Sequence, residues 1–84
     1  MIERAIQVDP GFEVSSAAHL VQAASRFKSH IYLILEEKTA NAKSIMGIIS
    51  LDLHGGNTVK IVAEGEDESQ VIPELENILA TNYR

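Results

Sequence analysis

The 84-residue sequence predicts an α+β fold: a four-stranded antiparallel sheet with three helices on one face, an open-faced sandwich. Three observations carry this. Short runs rich in β-branched residues alternate apolar and polar side chains. Two other stretches repeat apolar residues at helical spacing. The second and third strand-like runs are joined by a short link, as in a hairpin.

The elements follow in the order strand, helix, strand, strand, helix, strand, helix. Residues 2–8, I-E-R-A-I-Q-V, put Ile2, Ile6 and Val8 on one face, with Arg4 as a polar interruption. Asp9-Pro10-Gly11 signals a turn. Ala17, Leu20, Val21, Ala24 and Phe27 then mark the inward stripe of the first long helix. Ser15 or Ser16 is expected to cap its start, because a hydroxyl can accept from the unpaired N–H groups there. Residues 30–36, H-I-Y-L-I-L-E, read as the second strand and Thr39 to Lys43 as a short third one. The link between them lacks the Asn-Gly pair that favours a tight hairpin.

Ser44 precedes Ile45-Met46-Gly47-Ile48-Ile49 as the expected cap of a short helix. His54-Gly55-Gly56-Asn57 reads as a loop, and Thr58 to Glu64 as the fourth strand, with Val59, Ile61 and Ala63 inward. The acidic stretch Glu64-Gly65-Glu66-Asp67-Glu68 complements the positive end of the last helix and has no calcium-loop spacing. That helix is expected to bury Val71, Ile72, Leu75, Ile78 and Leu79. Pro73 places its start near Ser69, or demands a local kink.

Composition narrows the function classes. The length fits one domain, residues 1–84, and a hydrophobic fraction of 45% supplies a core without metals or disulfides. The chain has no cysteine, which removes thiol catalysis and cysteine metal sites and fits a reducing, cytoplasmic setting. A net charge of −5 disfavours direct binding to nucleic acid or to anionic membrane. No apolar run approaches the roughly 18 residues that span a bilayer, and the N-terminal residues lack a secretory apolar region. His19, His30 and His54 are scattered without ligand spacing, so neither a metal site nor a cofactor is expected. His19 shares the polar face of its helix with Gln22 and Arg26, opposite the apolar stripe.

Three stretches together carry a resemblance: Asn41-Ala42-Lys43-Ser44-Ile45-Met46-Gly47-Ile48-Ile49-Ser50-Leu51, Leu20-Val21-Gln22-Ala23-Ala24-Ser25-Arg26-Phe27, and Ala63-Glu64-Gly65-Glu66-Asp67-Glu68. With the element order, they make the chain similar to the HPr family, the histidine-containing phosphocarriers of the bacterial sugar phosphotransferase system, over nearly its whole length. The resemblance implies the βαββαβα open-faced β-sandwich. It also exposes a mismatch. The family's phosphoaccepting histidine position is occupied by Glu13, its phosphate-holding arginine position by Ser15, and its helix-starting proline position by Ser16.

Reversible phosphoryl transfer by this family needs an imidazole nucleophile and nearby positive charge, so the resemblance implies no catalytic residue in this chain. Glu13 is then expected to act as a capping carboxylate at a positive helix end, worth about 0.3–1 kcal/mol. The pattern of a missing histidine and a retained serine resembles the Crh-like branch of the family, which works only in regulation.

Ser44 matches the family's regulatory serine, so the resemblance implies phosphorylation there by an ATP-dependent serine kinase and recognition by a CcpA-like transcription factor. Lys43, Ile45, Met46 and Ile49 are the implied partner-binding residues, Met46 as an exposed and adaptable contact. The loss of the arginine weighs against CcpA binding. The expected function is that of a non-catalytic regulatory or interaction protein with Ser44 as its switch. The alternatives are a phosphocarrier that uses Glu13 or His19, and a diverged domain with unrelated partners. The sequence leaves the oligomeric state open.

Overall fold

A computed structural model describes residues 1–80; residues 81–84 of the expected domain lie outside the described residues. The elements are β1 (Ile2–Gln7), α1 (Val14–Ser25), β2 (His30–Leu35), β3 (Lys38–Asn41), α2 (Ile45–Leu51), β4 (Thr58–Glu64) and α3 (Glu68–Ala80). The order along the chain is the one the sequence predicts. The sheet order is β1-β4-β2-β3, with every neighbouring pair antiparallel.

Alternation decides which face is buried. Ile6 of β1, Ile31 and Leu33 of β2 and Val59, Ile61 and Ala63 of β4 point under the helices and are nearly inaccessible. Register aligns them: Ile61 faces both Arg4 and Leu33, and Ala63 faces both Ile2 and Ile31. Glu3, Lys60, Glu64 and Thr39 occupy the open face. Arg4, the polar interruption of the inward face, reaches Glu76 of α3 at 3.3 Å, so its charge is paired at the rim of the core. α3 buries Val71, Ile72, Leu75, Ile78 and Leu79, all as the periodicity predicts.

Three local expectations need correction. α1 is capped by neither Ser15 nor Ser16: it begins at Val14, and Glu13 is its N-cap, extended at φ −146° and ψ −173°. Its carbonyl accepts from Ala17 N–H at 3.0 Å, which makes Ser15 and Ser16 residues of the first turn. On α1, Ala23 is fully buried, whereas Val21 and Phe27 are only half-buried against the core edge. Phe27 lies beyond the last helical turn, where the 3.6-residue repeat no longer fixes its direction.

β3 is Lys38–Asn41 rather than Thr39 to Lys43. The Asn41 side chain accepts from Lys43 N–H at 2.8 Å, and its carbonyl accepts from Ser44 N–H at 3.0 Å, which turns the chain away from the sheet. The hairpin before β3 closes without Asn-Gly, with Glu36 held at φ 56°. α3 starts at Glu68 and contains Pro73, whose exposed ring leaves the buried side of the helix intact.

Candidate functional site

The loop after β1 is built by backbone economy. Asp9 N–H donates to the Leu79 carbonyl of α3 at 2.8 Å. Its carboxylate accepts from Gly11 N–H at 2.8 Å and its carbonyl from Phe12 N–H at 3.0 Å. Loop 54–57 lies against this turn. A Cβ on Gly55 would sit 2.2 Å from Pro10 Cα, so only glycine permits the approach. Val8 and loop 54–57 exchange backbone bonds at 2.8 Å, Val8 N–H to the Asn57 carbonyl and Gly56 N–H to the Val8 carbonyl.

At the start of α1 the Glu13 N–H donates to Ser16 Oγ at 3.3 Å, while Ser15 Oγ donates to Glu13 Oε1 at 3.2 Å. The Glu13 carboxylate also faces the Ser16 backbone, as in a capping box. Glu13 and Ser15 are exposed, and among the described residues no lysine or arginine joins them within hydrogen-bond reach. The arrangement satisfies a helix end and offers a carboxylate oxygen at the surface. His19 is exposed on the face of α1 away from its buried stripe.

Ser44 stands at the other side of the site. It is exposed and extended (φ −112°, ψ 114°), and its Oγ accepts from Gly47 N–H at 3.1 Å, capping α2 as expected. α2 buries Ile48 and Leu51 and leaves Met46 71%, Ile49 47% and Ile45 37% exposed. All three implied contact residues therefore present surface, and Ile49 is not part of the core. Lys43 is half-buried, and its ammonium donates to the Phe27 carbonyl at 2.7 Å. It ties α2 to the end of α1 rather than standing as a loose cation beside Ser44.

The two segments meet across an open cleft of about 260 Å³. Phe12, Ala17, Ile48 and Leu53 form its apolar lining, and Glu13 and Asp52 its exposed rim. His54, also at the rim, approaches Asp52 with Nε2 to Oδ2 at 3.2 Å. Asp52 ends α2 in the left-handed region (φ 55°), which an aspartate tolerates better than most residues. No His/Cys/Asp/Glu group among the described residues is arranged to hold a metal ion.

One residue had no role in the sequence reading beyond helix-end charge. Asp67 accepts from Lys28 N–H at 2.9 Å, from Ser29 N–H at 3.0 Å and from Ser29 Oγ. It thereby joins the end of α1 to the start of α3. The Ser29 hydroxyl, then the Lys28 N–H, hold its carboxyl below the usual aspartate value against the cost of desolvation. Gly65 makes room for this junction: at φ 154°, its Cβ would fall 2.6 Å from Ser29 Cα. Glu68 keeps the role the acidic stretch predicts, in the first turn of α3, and accepts from Gly65 N–H at 3.0 Å. Only the pairing of a buried serine with an aspartate 38 positions away could have signalled the Asp67 contact, and pairing is not local information.

The sheet order, three helices on one face and a serine capping the short second helix define the class of HPr-like open-faced β-sandwiches. The comparisons agree. A family model described as the PTS HPr component phosphorylation site matches residues 2–81. The HPr-like protein Crh of Halalkalibacterium halodurans is 39% identical over 77 residues, covering 89% of this chain and 92% of the relative. The crystal structure of HPr-C-His from Thermoanaerobacter tengcongensis superposes with a TM-score of 0.87 at 43% identity, covering 94% of this chain and 91% of that one. Crh of Bacillus subtilis, a catabolite repression protein whose crystal structure is an intertwined, domain-swapped dimer, gives 0.73 at 36% identity, covering 93% and 87%. The chain belongs to the HPr family of the phosphotransferase system.

Proposed function

We infer that this chain is a non-catalytic regulatory or interaction protein of the phosphotransferase system and carbon catabolite control, switched by phosphorylation of Ser44. One observation carries the reading: an exposed serine caps α2 directly beside the exposed Ile45, Met46 and Ile49. A phosphate there lies against a positive helix end and leaves the buried side of α2 undisturbed, so charge is added to a surface ready to be read. The partners are a serine kinase that uses ATP and a CcpA-like regulator that reads the modified face.

Glu13 takes the place of the phosphoaccepting histidine, and its hydrogen bonds make it a helix cap. Ser15, in the arginine's place, brings no cation. The chain acts in the cytoplasm, in line with its lack of cysteine and with the absence, among the described residues, of a helix long and apolar enough to cross a membrane.

Two incubations followed by mass spectrometry test the reading. With the serine kinase and ATP, wild type gains one phosphate and Ser44→Ala gains none; equal modification of both removes the switch. With enzyme I and phosphoenolpyruvate, no phosphate is gained. Stoichiometric phosphate on Glu13 or His19 would make the chain a phosphocarrier instead.

A further inference from the structure

The cleft between the Phe12 loop and α2 combines an apolar lining with an acidic rim. Ala17, Ile48 and Leu53 are buried and Phe12 half-buried, while Glu13 and Asp52 are exposed above them. No lysine or arginine lines the cleft among the described residues. His54 also stands at the rim, and both it and Asp52 are largely exposed, at 70% and 77%, so the contact between them is weak and yields to a competitor.

We propose that this cleft receives an arginine side chain from a partner protein, its methylene stem on Phe12, Ile48 and Leu53 and its guanidinium on the Glu13 and Asp52 rim. The charge complementarity is the argument. An apolar occupant would leave two carboxylates beside a dry surface, and an acidic one would be repelled by them. Arginine suits both parts, because its stem covers apolar surface while its head stays at the edge. Its planar fork can bond a carboxylate through two N–H groups and is more weakly hydrated than an ammonium. Met46 and Ile49 extend the apolar surface beside the cleft, so the arginine would act as a register pin within a larger contact. The inference rests on the reading that the Ser44 face docks proteins and specifies what chemistry the partner brings.

Amide chemical shifts of the ¹⁵N-labelled protein test it, with N-acetyl-arginine methylamide as the probe and the uncharged N-acetyl-citrulline methylamide as its near-isostere. The arginine probe should give saturable shifts centred on Glu13, Val14, Ile49, Leu53 and His54. The citrulline probe should bind about 3–5-fold more weakly, the scale of an exposed charge pair. Glu13→Gln and Asp52→Asn, both of which keep their local backbone roles, should each weaken the arginine probe and leave citrulline unchanged. Equal binding of the two probes would mean a purely apolar groove and overturn the proposal, as would shifts centred elsewhere or none that saturate. Concentration-dependent shifts at the same amides without a probe would assign the cleft to a second copy and also overturn it. Kinase modification of Ser44 is scored separately on unbound protein, so failure of the switch and failure of the arginine site are distinguishable.

Discussion

Replacing Ser44 by alanine removes one hydrogen bond and nothing from the core. The Oγ of Ser44 accepts from Gly47 N–H at 3.1 Å, and Ile48 N–H bonds the Ser44 carbonyl at 3.0 Å, so the side chain serves one of the helix-end donors while the backbone serves another. α2 has only 7 residues, too few to hold itself together, and it stays folded through Ile48 and Leu51 beneath it and the cap at its start. Loss of a serine cap costs about 1 kcal/mol. In a domain of this size that lowers the melting temperature by about 4–8 °C. Ser44→Asn and Ser44→Asp retain an acceptor and should stay within about 0.5 kcal/mol of wild type. Thermal and urea unfolding, followed by circular dichroism, measure all four proteins. A melting temperature of Ser44→Ala equal to wild type would refute the cap, and with it the claim that phosphate at Ser44 meets a positive helix end. A loss in Ser44→Asp as large as in Ser44→Ala would refute the second claim alone.

Three further outcomes are expected. Asp67→Asn should destabilise at neutral pH; because the native carboxyl is held below its ordinary value, that difference persists above about pH 4 and fades as the pH falls through the lowered native value. Urea titrations of both proteins across pH check the sign, and a difference that grows on acidification would contradict it. Ile48→Val removes one methylene beneath the Ser44 helix and should cost about 0.5–1.5 kcal/mol in urea unfolding, with an unchanged m-value. Gly65→Ala should lower the melting temperature and shift the amide resonances of Lys28 and Ser29, since its Cβ would fall 2.6 Å from Ser29 Cα; an unperturbed Ser29 amide would rule out that close approach.

Much of the fold was legible because it is written locally. Strand alternation in residues 58–64 and the five-residue stripe of α3 are periodic, and periodicity alone selects the buried face. The Ser44 cap was legible for the same reason, since donor and acceptor lie three positions apart. The start of α1 misled because Glu13, Ser15 and Ser16 all offer acceptors within four positions, and the choice among them lies in the extended backbone of Glu13, which local composition does not report. The end of β3 misled because alternation carries no stop signal there, and the Asn41 side chain supplies it.

By itself, the sequence determined the element order and most of the inward faces. Only the tertiary structure decided that Glu13 rims a cleft with Asp52, that the Lys43 ammonium is spent on the Phe27 carbonyl, and that Asp67 clasps Ser29. The reason is physical. A helical or strand pattern is a property of neighbouring residues, whereas the partner of a charged side chain is fixed by which distant backbone groups packing leaves exposed beside it.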